Sequence, residues 1–109
     1  MAIQSQLAEW HENEFNVAMK APEISVIEFG APWCHACKAT EPVVAELAGD
    51  YPNVKFAKID VSKNPALASR MGVMSLPNIL ILANGKIVEQ IIGAANRAKI
   101  EEKLKKVVK

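Results

Sequence analysis

Cys34 and Cys37 are the residues of this sequence best suited to chemistry, because they are its two cysteines and lie three positions apart. Two cysteines are too few for a framework of several disulfides, so their spacing rather than their number indicates their purpose. Thiols one helical turn apart can form and break a mutual disulfide. The alternatives are half of a zinc site or two ordinary buried thiols.

A structural zinc site needs four ligands, and only His11 and His35 could complete a set within this chain. His35 lies between the two cysteines, where it cannot readily turn onto the same ion. The pattern therefore favours a redox-active pair that forms the Cys34–Cys37 disulfide, with no metal and no bound cofactor.

The elements on either side of the pair decide which thiol attacks. Residues 24–29 form a short apolar segment typical of a buried strand, and from Cys34 onward apolar residues recur on one helical face. We expect a helix that begins at or just after Cys34 and is kinked at Pro42. Free amide groups and the positive dipole end at the helix start favour a thiolate. Cys34 is therefore the predicted nucleophile, and Cys37 the resolving thiol.

The remaining elements follow from hydrophobic periodicity and turn residues, and the whole order predicts an α/β fold with helices on both faces of a mixed sheet. They are a helix over about residues 5–20, a strand over residues 54–61, a short helix opened by Asn64-Pro65 and closed at Gly72, a hairpin of residues 79–82 and 87–92 around Asn84-Gly85, and a last helix marked by Ile100, Leu104, Val107 and Val108.

Length, composition and charge indicate the general kind of protein that the sequence encodes. With 109 residues, half of them apolar, we expect one domain over 1–109 whose N-terminal segment, about 1–22, is helical. Thirteen basic against twelve acidic residues argue against nucleic acid as the partner. No apolar run is long enough to span a membrane, and no secretory signal is visible. We expect a cytoplasmic monomer.

The sequence closely resembles the thioredoxin family from about residue 24 to residue 108. Several separate motifs in the family's order carry the resemblance: Phe29-Gly-Ala-Pro-Trp-Cys-His-Ala-Cys-Lys38, Pro42, Phe56-Ala-Lys-Ile-Asp60, Asn64-Pro65, Gly72-Val-Met-Ser-Leu-Pro77, Asn84-Gly85 and Gly93-Ala94. The resemblance implies a thioredoxin-like fold, with a central mixed sheet of four or five strands flanked by four helices. The first 23 residues match only in length and helical character, so the family's first strand would be short or absent.

The resemblance also implies a proton-transfer pair. Glu28 occupies the position of the family's buried carboxylate, usually Asp, which exchanges protons with the resolving cysteine, and Lys58 matches the lysine that accompanies it. The alternatives for Glu28 are an outward residue of an edge strand or half of a structural ion pair. Its apolar neighbours Val26, Ile27 and Phe29 favour burial, which raises a carboxyl pKa toward neutrality.

A substrate-binding rim is implied in the same way. Pro77 matches the family's cis-proline, which faces the cysteines and leaves the backbone of the preceding residue free to pair with substrate. The rim that would receive extended protein segments comprises Trp33, Met74, Leu76, Pro77, Gly93 and Ala94. Simple packing is the alternative role for Trp33.

Two departures from the family pattern lie close to the cysteines. The usual Gly-Pro between them is His35-Ala36, and the aromatic residue often found before Ala31 is Gly30. A histidine beside Cys34 can stabilise the thiolate, which would make the couple more oxidising. The alternative is that His35 is a solvent-facing spacer without a tuning role.

The function implied by the resemblance is a thiol–disulfide oxidoreductase, and specifically a protein disulfide reductase. Its partners would be disulfide-containing protein substrates and a thioredoxin-reductase-type electron donor. One alternative is a more oxidising disulfide oxidase or isomerase, which the His35-Ala36 dipeptide supports. Another is a non-catalytic binding module, whose thiols are incidental or share a zinc or iron–sulfur centre between two chains.

Overall fold

The structure, a computed structural model, describes residues 7–108. Within them strands and helices alternate as the sequence predicts, and the hairpin follows the third helix. The elements are β1 (Ala8–Glu9), α1 (Glu12–Lys20), β2 (Ser25–Gly30), α2 (His35–Asp50), β3 (Lys55–Asp60), α3 (Pro65–Arg70), β4 (Asn78–Ala83), β5 (Lys86–Ile92) and α4 (Arg97–Val108).

The sheet is mixed and has β2 at its centre. The strand order is β1-β3-β2-β4-β5, in which β1, β3 and β2 run parallel while β4 is antiparallel to both of its neighbours. The five-stranded form of the predicted thioredoxin-like fold is thereby confirmed. A central position explains the near-continuous apolar sequence of β2, which is covered on both faces.

Alternation along β2 divides the core into two layers. Val26 faces one layer, while Ile27 and Phe29 face the other. The first layer includes Val44 and Leu47 of α2 with Ile100 and Leu104 of α4, and the second includes Phe15 and Ala18 of α1 with Leu67 of α3. Helices therefore cover both faces, and Glu28, two positions after Val26, lies on the side of α2.

The N-terminal helix is shorter than the sequence predicts. Instead of helix, Ala8–Glu9 pairs with β3, and the Trp10 amide donates a hydrogen bond of 2.8 Å to the Lys58 carbonyl. The helix begins only at Glu12, where the His11 amide donates to the Glu14 carboxylate over 2.9 Å. Residues 8 and 9 therefore pair with the free edge of β3, although the apolar spacing of this segment also fits a helix. The start of the predicted helix, residues 5 and 6, lies outside the described residues.

The later turns agree with the sequence. Asn64-Pro65 opens α3, which ends at Arg70, and Gly72 follows with φ +70°. Asn84 and Gly85 both have positive φ, 54° and 76°, as the tight turn of a hairpin requires. The last helix buries Ile100 and Leu104, as its periodicity predicts. Among the described residues, no helix is long and apolar enough to cross a membrane.

Candidate active site

Cys34 is the N-cap residue of α2, the position that the sequence predicts for the nucleophile. β2 ends at Gly30, a four-residue connection follows, and the helix begins at His35. The Cys34 sulfur accepts a hydrogen bond of 3.1 Å from the Cys37 amide. A sulfur that accepts an N–H at the positive end of a helix is stabilised as a thiolate when reduced.

The second cysteine is much less accessible than the first. Cys34 is half-buried, whereas Cys37 retains only 5 % of its exposure. The two are joined in a disulfide with their Cα atoms 5.3 Å apart, so neither thiol is free. Among residues 7–108, no group of three or more His, Cys, Asp or Glu side chains is placed to hold a metal ion.

Gly30 makes the close approach of β2 to this disulfide possible. A Cβ atom built at position 30 would lie 3.1 Å from the Cys37 Cβ and 3.2 Å from its Sγ, which is tighter than an ordinary contact. Because glycine stands here in place of the family's aromatic residue, only backbone atoms of position 30 lie against the second cysteine. Any larger residue here requires Cys37 to shift by a few tenths of an ångström.

Glu28 lies in the middle of the sheet and is 2 % exposed. It pairs with Lys58 on β3 and with Ile79 on β4, which excludes the outward position on an edge strand. Neither of its carboxyl oxygens has a hydrogen-bond partner among the described residues. Burial, and secondly the negative charge of Glu41, raises the pKa of Glu28 to about 8, while the charge of Lys58 opposes the shift.

Lys58 bonds a different carboxylate from the one that the sequence suggests. Its Nζ lies 2.6 Å from Oε2 of Glu41 on α2, while Lys58 is also the direct strand partner of Glu28. The ammonium still acts on Glu28 through its charge. Glu41 is the better ion-pair partner because it is partly solvated, and bringing an ion pair fully into the interior costs more than it returns.

Glu41 is a residue of the candidate site that sequence reasoning missed. It follows Cys37 by four positions, a spacing that places both side chains on one face of α2. That spacing is the available signal. A cleft of about 250 Å³ behind the disulfide is lined by Glu28, Cys37, Glu41 and Lys58, so the missed residue shares one space with the predicted proton-transfer groups.

The predicted rim residues occupy the loops at the end of the sheet near Cys34. The Leu76–Pro77 peptide bond is cis, as the resemblance implies. Asn78 pairs with Phe29, which brings the start of β4 beside the end of β2 that leads to the cysteines. The Gly93 amide donates a hydrogen bond of 2.8 Å to the Pro77 carbonyl, so these two predicted residues are in direct contact.

Large apolar side chains at this end of the molecule are exposed. Trp33 is 68 % exposed and Met74 is 93 % exposed, while Leu76 is half-buried. At this exposure, most of the Trp33 side chain is not packed against the described residues. Ile92, next to Gly93, is 63 % exposed, and the sequence does not predict it as a rim residue. Three large apolar side chains at this end, Trp33, Met74 and Ile92, are therefore open to solvent.

Comparison with known proteins agrees with this geometry. The thioredoxin family model matches residues 6–106. Thioredoxin 2 of Chlorobaculum tepidum is 38% identical over 87 residues, which cover 79% of this chain and 80% of that protein. A chloroplastic M-type thioredoxin of Chlamydomonas reinhardtii is 37% identical over 92 residues, which cover 84% of this chain and 66% of that protein.

Solved structures give the same result. Oxidised mitochondrial thioredoxin 3 of Saccharomyces cerevisiae superposes with a TM-score of 0.85 at 31% identity, covering 93% of this chain and 95% of that one. Thioredoxin NaTrxh of Nicotiana alata superposes with a TM-score of 0.86 at 33% identity, covering 97% and 96%. With its Cys-x-x-Cys disulfide at the start of α2, the chain belongs to the thioredoxin family of thiol–disulfide oxidoreductases.

Proposed function

We propose that this protein reduces protein disulfides by attack of the Cys34 thiolate and release by Cys37. The observation that carries the proposal is the asymmetry of the pair: Cys34 is half-buried at the N-cap of α2, and Cys37 is buried one turn further on. An accessible thiolate at a helix start is suited to attack an external disulfide. A buried neighbour is suited to act only on the adduct that Cys34 has formed.

The proposed cycle moves two electrons in two exchange steps. In the first step, the Cys34 thiolate attacks one substrate sulfur, the substrate S–S bond breaks, and the other substrate sulfur leaves as a thiolate. In the second step, Cys37 loses its proton and attacks the Cys34 sulfur, which forms the Cys34–Cys37 disulfide and releases the second substrate thiolate. The substrate is thereby reduced, and the protein is left oxidised as in this structure.

Glu28 is the proposed acceptor of the Cys37 proton. Its pKa, raised to about 8 mainly by burial, lies close to the usual value of a thiol, so a proton can pass in either direction without a large energetic cost. Both groups line the cleft behind the disulfide. His35, the exposed first residue of α2, is proposed to stabilise the Cys34 thiolate.

Substrate segments are proposed to dock on the rim at the end of the sheet. The exposure of Trp33 and Met74 supports this, since large apolar side chains that are open to solvent are available for contact with an extended chain. The hydrogen bond between Gly93 and Pro77 would hold the two sides of the rim together. Leu76 would offer its backbone to the substrate, and Ala94 would complete the apolar surface.

The cycle needs an electron donor and a reducing compartment. We propose a thioredoxin-reductase-type donor, as in the family, and a monomeric protein that acts as one domain in the cytoplasm. The near-neutral charge balance supports protein substrates rather than nucleic acid.

Reduction of insulin disulfides tests the proposed function directly. With dithiothreitol as the electron source, precipitation of the reduced insulin chains is expected to start earlier and proceed faster in the presence of the protein. The same assay with NADPH and a thioredoxin reductase tests the proposed donor. A precipitation rate equal to that with dithiothreitol alone would contradict the proposal.

Replacing His35-Ala36 with Gly-Pro is expected to make the couple less oxidising. Oxidation consumes the Cys34 thiolate, so a neighbouring imidazole that stabilises this thiolate favours the reduced form. The expected shift is about 30 mV or somewhat more, which corresponds to a roughly tenfold change in the equilibrium constant. Equilibration against glutathione measures it for both proteins.

Ala36→Pro with His35 retained is the matched control for this potential. It changes the helix turn without removing the imidazole, so its potential should stay near that of the wild type. An equally or more oxidising Gly-Pro variant would show that His35 is only a spacer.

A further inference from the structure

A buried carboxyl group without a hydrogen bond lies beside a lysine that bonds another residue. Glu28 and Lys58 are direct partners on the adjacent parallel strands β2 and β3. Neither oxygen of Glu28 has a hydrogen-bond partner among the described residues, yet the Lys58 ammonium lies 2.6 Å from Glu41. The ammonium of the residue that pairs with Glu28 in the sheet is therefore bound to a carboxylate of α2.

In the absence of Glu41, a hydrogen bond from Lys58 to Glu28 would be the expected arrangement. Side chains of directly paired residues lie on the same face of a sheet, within the length of a lysine side chain. A hydrogen-bonded ammonium would favour the ionised carboxylate and lower its pKa by about one unit or more. The ion pair with Glu41 competes with that bond, because one ammonium at 2.6 Å from Glu41 is directed toward the helix.

We propose that Glu41 is a positioning residue: by bonding Lys58 it withholds the ammonium from Glu28 and leaves that carboxyl group free for proton exchange with Cys37. The inference rests on the proposed role of Glu28 as the acceptor of the Cys37 proton. Glu41 touches neither the substrate nor the reacting sulfurs in this scheme. It acts through Lys58.

Four other charged residues line the cleft, and none of them is among the groups that shift the pKa of Glu28. Besides Glu41 and Lys58, the charged residues that line it are Lys38 on α2, Asp60 on β3, Glu9 on β1 and Lys63 after β3. Glu9 and Lys63 form their own ion pair at 3.1 Å. Asp60 accepts hydrogen bonds from Ser62. Apart from burial, Glu41 and Lys58 are the groups that govern the pKa of Glu28.

Glu41 can act on Glu28 in two ways, and the two make different predictions. Its negative charge opposes ionisation of Glu28 directly, whether or not Lys58 is present. Its bond to Lys58 matters only while Lys58 carries an ammonium. A double-mutant cycle with Glu41→Gln and Lys58→Met separates the two contributions, because only the second makes the substitutions non-additive.

The experiment is a titration of the Glu28 carboxyl carbon by NMR in the oxidised protein. Oxidised protein is required because both thiols are then in the disulfide, so that their titration does not couple to that of Glu28. The Glu28 signal is identified by its loss in Glu28→Gln. We expect Glu41→Gln to lower the pKa of Glu28 by about one unit or more, and Lys58→Met to raise it. In the Lys58→Met background, Glu41→Gln should have a clearly smaller effect.

Glu46→Gln is the matched control. Glu46 lies on the same helix and forms an ion pair, at 3.6 Å with Arg97, but it does not line the cleft. Its substitution removes the same charge and should leave the pKa of Glu28 unchanged. An effect of Glu41→Gln that is equal in both Lys58 backgrounds, or absent from both, would overturn the positioning role.

A second readout distinguishes this inference from the proposed function. The rate of the resolving step is measured by stopped flow as a function of pH. In Glu41→Gln the midpoint of this pH profile should move to lower pH, together with the pKa of Glu28. If Glu28→Gln changes the pH profile while Glu41→Gln leaves the Glu28 pKa unmoved, the inference fails and the role of Glu28 stands. If the pKa moves while every pH profile is unchanged, the proton exchange with Cys37 fails.

Discussion

Cys34→Ser is expected to reduce catalysed insulin reduction to the background rate, a loss on the order of 10³-fold or more. The serine hydroxyl keeps the size and the N-cap position but supplies no thiolate to attack a disulfide. Cys37→Ser is also expected to lose turnover, but for a different reason. Its first exchange step remains intact, and the adduct on Cys34 is not resolved.

The two serine variants are controls for each other. Each lacks the disulfide, so any loss of stability from the missing bridge is shared by both. Circular dichroism and an unfolding curve for each variant show that the fold persists. Multiple turnover of insulin by either variant at a rate near that of the wild type would contradict the two-thiol mechanism.

Glu28→Gln is expected to remove a large pH dependence of stability. Because the folded-state pKa of Glu28 is raised to about 8, the folded protein keeps a proton that the unfolded chain releases near pH 4.5. This group's contribution to stability is therefore fully present below about pH 4.5 and is lost as the pH rises to about 8. The total change is on the order of 5 kcal/mol, at about 1.4 kcal/mol for each unit of pKa difference.

Urea unfolding of the oxidised proteins between pH 4 and pH 9 measures this dependence. The free energy of unfolding of the wild type, relative to Glu28→Gln, should fall as the pH rises and become constant above about pH 8. Glu46→Gln is a control for the loss of an exposed carboxylate, and its curve should run parallel to that of the wild type. Parallel curves for wild type and Glu28→Gln would show that the carboxyl group is not held protonated by burial.

Much of the fold follows from local pattern. The buried strand over residues 24–29, the helix that starts beside Cys34 and the Asn84-Gly85 turn each have a signal that tertiary contacts do not override. At residues 8 and 9 the local signal is misleading, because the apolar spacing there predicts a helix. Ala8–Glu9 is too short to show alternation, and its pairing with β3 depends on an edge that only the folded sheet provides.

In the candidate site, too, some features can be predicted from the sequence and others depend on the folded structure. Position along the chain predicts that Cys34 lies at the helix start, and apolar neighbours predict the burial of Glu28. The ion pair of Lys58 with Glu41 joins a strand to a helix, so it depends on how closely those elements approach. Spacing along α2 places Glu41 on the face of Cys37 but does not identify the cation that it binds.

The most direct test of the mechanism is to identify the sulfur that carries the substrate. Reduced Cys37→Ser protein is incubated with oxidised insulin, the remaining thiols are blocked, and the adduct is digested and mapped by mass spectrometry. Cys34→Ser is treated in parallel. We predict a stable mixed disulfide through Cys34 in the first protein and little adduct through the buried Cys37 in the second. Equal adduct formation through Cys37, or no adduct through Cys34, would contradict the assignment of Cys34 as the attacking thiolate.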